Sequence, residues 1–164
     1  MKAKDITLGG IMVALSVVTL YLTSVIPINT IAILTIASAF IPICIIRSNI
    51  KTASFVYVAT TIISFFIVPI NYVLMYALMF GIYGIVKHLI EKIDKLPIEI
   101  FIKLVFFNVI LVIGLVFMKS LLGDLNINLP TWLLFIVAQP VFLIYDYALT
   151  VLISYYLEKL HKVR

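Results

Sequence analysis

Residues 6–46 read ITLGGIMVALSVVTLYLTSVIPINTIAILTIASAFIPICII, without one Asp, Glu, Lys or Arg. A bilayer core of ~30 Å is crossed by ~20 apolar residues in a helix, so this run is too long for one span and suits two. Pro27-Ile28-Asn29-Thr30 divides it, because proline lacks an amide donor and disfavours helix at the residue before it. A second uncharged run, Thr52 to Val86, is divided in the same way at Pro69-Ile70-Asn71.

Working outward from these two runs, the whole chain reads as an all-α integral membrane bundle of six transmembrane helices, a single domain over residues 1–164. The expected spans are about 7–26, 31–46, 53–69, 72–90, 98–118 and 132–157. The composition agrees: 65% of residues are hydrophobic and 12% charged, with a mean hydropathy of +1.27. A soluble domain carries about twice that charged fraction, so this chain cannot cover a water-facing surface. Lys2 and Lys4 before an apolar stretch resemble a signal peptide. That stretch ends in Val25-Ile26-Pro27 without a small-x-small cleavage pattern, and it is kept as the first span. The single Cys44 excludes an intrachain disulfide framework. The net charge of +5 is dispersed between apolar segments and forms no basic tract with interleaved aromatics, so it does not point to nucleic acid.

Basic residues near span ends set orientation. With the N-terminus inside, Lys2, Lys4, Arg47, Lys51, Lys87, Lys92, Lys95, Lys103, Lys159, Lys162 and Arg164 fall on the cytoplasmic side and Lys119 alone outside. Both termini are therefore expected in the cytoplasm. Five spans would split the basic residues between the two sides. Cysteines introduced singly at Ser120 and Asn128 are expected to label from outside in intact cells, and one at Ser48 is not. Labelling at Ser48 with protection at Asn128 would invert this topology. The Lys119–Pro130 connection has room for a short interfacial helix. The tripeptide Pro-Ile-Asn recurs at 27–29 and 69–71, both on the expected outer face.

Polar groups inside the apolar segments are the best pointers to function, because lipid makes each one costly. Asp146 lies near the middle of the last span, with Gln139 seven residues before it and Thr150 four after, so the three share a helix face. Asn108 on the fifth span lies at similar depth. A carboxylate there binds a cationic ligand, relays protons, or accepts from a neighbouring helix, as Asn and Gln often do for ~0.6–2 kcal/mol. Lys103 follows Glu99 by four residues, the favourable order for a helical ion pair, near the expected cytoplasmic end. Pro42 and Pro140 are expected to kink their helices. Gly81 and Gly84 read as internal packing positions, and Gly10-x-x-x-Ala14 as a surface where another helix approaches closely. His88 and His161 have no second ligand at metal-binding spacing. No Walker loop, His-Glu-x-x-His or Gly-x-Ser-x-Gly is present, and catalytic chemistry, a metal and a cofactor are not expected.

The basic start running into Ile6-Thr-Leu-Gly-Gly-Ile-Met-Val-Ala-Leu-Ser16 resembles the start of the substrate-binding (S) components of energy-coupling factor (ECF) transporters. These are six-span vitamin- and metal-capture proteins of bacteria and archaea with cytoplasmic termini. Their first helix usually carries Ala-x-x-x-Ala facing the coupling transmembrane subunit; Gly10-x-x-x-Ala14 is similar, with Gly for the first Ala. The turn at Pro27 followed by Ala32-Ile-Leu-Thr-Ile-Ala-Ser38 is also similar. The resemblance covers the whole chain. It implies capture of a vitamin or similar micronutrient in a prokaryotic plasma membrane, with an ATPase pair and a coupling subunit as partners and lipid around them.

The resemblance further implies a ligand site between the outer halves of the later helices, near Asn29, Asn71, Tyr76, Trp132 and Gln139, with Asp146 at its floor. The ligand residues of the riboflavin, thiamine, biotin and folate members are not evident. The His-rich N-terminus of the nickel and cobalt members is absent. The alternative class is an MreD-like cell-shape scaffold, which would use its polar face to hold partners and bind no small ligand. A small membrane enzyme or lipid-handling protein is a third class, and the missing catalytic constellations speak against it.

Overall fold

The computed structural model of the chain describes residues 2–122 and 131–162, all helix and short turns with no strand among them. Helix α1 is Ala3–Val25, α2 Thr30–Arg47 and α3 Ile50–Ile67. The next crossing, Ile70–Ile93, is composite: α4 (Ile70–Met75), a π-helical segment Tyr76–Phe80, α5 (Gly81–Ile90) and a 3-10 turn, Glu91–Ile93. Helix α6 is Leu96–Leu122 and α7 Thr131–Lys162. Among the described residues, six helices are long and apolar enough to cross a membrane, and the chain is a multi-pass membrane protein. Residues 123–130, where a short interfacial helix was expected, lie outside the described residues.

The helix ends depart from the expected ones for local reasons. Helix α3 starts at Ile50 rather than 53 because Asn49 caps it, its Oδ1 accepting the Thr52 amide at 2.9 Å. Helix α1 starts at Ala3 because the Asp5 carboxylate turns back to accept the Lys2 amide at 2.9 Å. Neither Pro42 nor Pro140 interrupts its helix. The change of helix type lies in the fourth crossing, at the π segment. A π turn displaces carbonyls from the ordinary ladder, and tyrosines from other helices reach them. Tyr57 donates to the Ala77 carbonyl at 2.7 Å, and the Tyr145 hydroxyl lies 3.5 Å from that of Phe80.

Helix α2 is the hub: half of its span is buried, and it packs on α1, α3, α5 and α7. One apolar cluster joins α1, α2 and α3 through Met12, Ile41, Cys44, Ala53 and Val56. The other is aromatic and joins α2, the fourth crossing, α6 and α7, with Phe107 stacked on Phe142 at 4.3 Å and Tyr83 edge-on to Phe142 at 5.2 Å. Close approach needs glycine at two places. A Cβ on Gly84 would lie 2.9 Å from the Pro42 ring, and one on Gly81 would lie 2.7 Å from the Tyr57 ring. The side chains left outside, such as Phe66, Phe101 and Ile144, are apolar, which suits lipid as solvent.

Ser48, at the α2–α3 turn, donates to Asp5 near the start of α1 at 2.7 Å, and Arg47 lies over the ring of Tyr156 near the end of α7. Both ends of the chain therefore share one face of the bundle with the α2–α3 turn, called here the terminal face; the opposite one is the distal face.

Candidate functional site

Three polar clusters interrupt the apolar interior. The largest is a ring of alternating charge between α5, α6 and α7. Lys87 contacts both Asp146 and Glu91, the latter at 2.8 Å; Lys103 contacts Glu91 at 3.0 Å and Asp146 at 3.1 Å. Each ammonium touches both carboxylates, so two positive and two negative charges balance. The Lys87 side chain is 1% exposed and uses all three donors, the third going to the Thr150 hydroxyl at 2.8 Å. The Tyr83 hydroxyl donates to Asp146 at 2.6 Å. Glu91, 39% exposed, sits at the rim. Every member of the ring is engaged, which is what a buried ion cluster needs if desolvation is not to outweigh attraction.

This geometry corrects one expectation. Lys103 bonds Glu91 and Asp146, not Glu99, because the 3-10 turn after α5 brings Glu91 alongside α6. Asp146 lies near the middle of the last crossing, Trp132–Glu158, as expected. There it meets Lys87 and Lys103, which lie ~10 Å from the terminal-face ends of their own crossings. With 32 residues, α7 is ~48 Å long and outreaches a ~30 Å core.

The second cluster is a reciprocal amide pair. Gln139 donates to the Asn108 Oδ1 at 2.9 Å, and Asn108 donates back to the Gln139 Oε1 at 3.3 Å. Each amide also donates to a carbonyl one turn earlier on its own helix, Leu104 or Phe135. Asn108 is thus the partner of Gln139, and Asp146 finds its partners among the lysines.

The third cluster is different in kind. The hydroxyls of Ser16, Thr60, Ser64 and Tyr76 are buried without a hydrogen-bond partner. The Thr60 and Ser16 side chains flank the Tyr76 hydroxyl as its hydrogen-bonding neighbours, and the Tyr57 hydroxyl also acts on it. Counting along the helices, Tyr76 lies ~9 Å from the distal end of its crossing. A buried hydroxyl without a partner costs roughly 1–3 kcal/mol. Three helices, α1, α3 and α4 with its π extension, thus hold unused donors and acceptors in the distal half.

The six residues expected at the ligand site are distributed accordingly. Asn29 and Asn71 are exposed at the distal turns, and Trp132 is exposed at the start of α7. Tyr76 belongs to the hydroxyl cluster, Gln139 to the amide pair and Asp146 to the charge ring. No hydrogen bond between described residues joins any two of the six. Of the partner-facing pair, Gly10 has nothing within 4 Å of a Cβ position and Ala14 is exposed. Sequence reading missed Lys87, taking its charge as the end of a span. The signal was its spacing: Tyr76, Phe80, Tyr83 and Lys87 follow a 4-3-4 rhythm along one stripe, and all four are buried. No group of three or more His, Cys, Asp or Glu among the described residues is placed to hold a metal. Comparison of the chain with family models, curated proteins and solved structures yields no match.

Proposed function

We propose that this protein is the substrate-capture subunit of an ECF-type importer in a prokaryotic plasma membrane, taking a small micronutrient from outside and performing no chemistry of its own. The observation that carries this reading is the contrast between the polar clusters. The charge ring and the amide pair are saturated by their own partners and hold helices together. The hydroxyl cluster around Tyr76 has capacity left over, in the half of the bundle that the basic-residue asymmetry assigns to the outside. Its groups are uncharged, so the substrate it suits is a neutral, hydrogen-bonding solute. The coupling subunit would meet the bundle at Gly10 and Ala14, and an ATPase pair would drive it.

Mass spectrometry of small molecules released from the purified protein tests the reading directly. Tyr76→Phe is expected to weaken retention of the released compound by about 2- to 10-fold, the worth of one neutral hydrogen bond. The same change should leave stability equal or slightly higher, since it removes a buried hydroxyl without a partner. Ala14→Trp should block association with a coupling subunit and leave retention intact. A Tyr76→Phe variant that retains the compound as well as wild type would move the site elsewhere. The saturated ring at Asp146 favours a second reading, an MreD-like scaffold. In that case no small molecule is released, and substitutions in all three clusters alter stability alone.

A further inference from the structure

We propose that the groove between α1 and α3 is a binding site for one anionic phospholipid, its acyl chain along the groove and its phosphate at the terminal-face mouth. The groove measures about 350 Å³, and Gly9, Gly10, Val13, Phe55, Val56 and Ala59 give it an apolar floor and walls. Ile6 and Thr52 also line it, and Asp5 stands at its mouth. It opens toward lipid. A second helix, ~10–12 Å across, reaches such a groove only with its side chains, whereas a single acyl chain lies within it.

The charge at the mouth selects the headgroup. Helices α1 and α3 both run away from the terminal face, so their side chains lean back toward it. Lys2 lies one turn before Ile6 and Lys51 one turn before Phe55, both of them groove residues. Both lysines are exposed. Against them stands Asp5, whose two oxygens already accept from the Lys2 amide and the Ser48 hydroxyl. Two positive charges against one partly satisfied carboxylate leave a net attraction for a phosphodiester at headgroup depth. Each lysine near an anionic headgroup is worth about 1 kcal/mol, or roughly fivefold.

The test uses the purified full chain in nanodiscs of phosphatidylcholine with an equal share of phosphatidylglycerol, read by native mass spectrometry. Wild type is expected to retain one phosphatidylglycerol in preference to phosphatidylcholine. Lys2→Gln with Lys51→Gln should cut that preference about 25-fold without changing thermal stability in detergent. Ala59→Phe, on the α3 wall and away from Gly10 and Ala14, should abolish retention of either lipid. Equal retention of the two lipids by wild type, or an unchanged preference in the double variant, overturns the proposal. Unchanged retention in Ala59→Phe overturns it equally. None of these outcomes depends on whether the chain captures a substrate.

Discussion

Replacing Asp146 by Ala is expected to destabilise the purified protein by about 3–5 kcal/mol, the cost of breaking a buried ion cluster by removing one partner. The change leaves the ammoniums of Lys87 and Lys103 with Glu91 alone, and the Tyr83 hydroxyl loses its acceptor. Asp146→Asn keeps a hydrogen-bonding group of the same size but leaves the ring with a net positive charge, so its loss should be smaller. Glu91→Gln should cost no more than about 1 kcal/mol, because a half-exposed carboxylate is largely supported by solvent. Thermal unfolding in one detergent gives all three values. Equal losses at Asp146 and Glu91 would mean that burial does not grade the ring. Adding Lys87→Met to Asp146→Ala should recover part of the loss, since the double variant again balances one positive against one negative charge.

Gly84→Ala is expected to cost about 1–3 kcal/mol, the range for overfilling a packed interior. The new methyl would meet the Pro42 ring and Ile41 on α2, positions that hold the hub helix and cannot give way easily. Gly81→Ala should behave alike, with rings of Tyr57 and Tyr76 in the way. Gly10→Ala, placed where nothing approaches, should leave stability within about 1 kcal/mol of wild type. The same unfolding measurement compares the three. A loss at Gly10 as large as at Gly84 would place an unseen neighbour against α1.

The six crossings were legible because absence of charge over long runs is a one-dimensional property, and proline marks turns within it. The packing role of Gly81 and Gly84 was legible from their position inside a span. The pairings were not, since they depend on which face of α5 turns toward α6 and α7. Lys103 illustrates this. Local spacing offers Glu99, but a 3-10 turn ending at the left-handed Asp94 (φ 54°) redirects the chain and presents Glu91 instead. The π segment left no trace in the pattern, because one extra residue in a turn does not alter hydrophobicity.

The charge ring also fixes an order of events during synthesis. Lys87 and Lys103 are made before Asp146, so both lysines reach the membrane ahead of the residue that neutralises them most closely. Until the last helix arrives, Glu91 is the only acid of the ring in place, and its two lysines carry an excess positive charge that hydrocarbon disfavours. The hairpin gains its full stability in lipid only when α7 closes on it. A chain that stops short of Asp146 leaves the ring with two lysines and one carboxylate, its charge unbalanced.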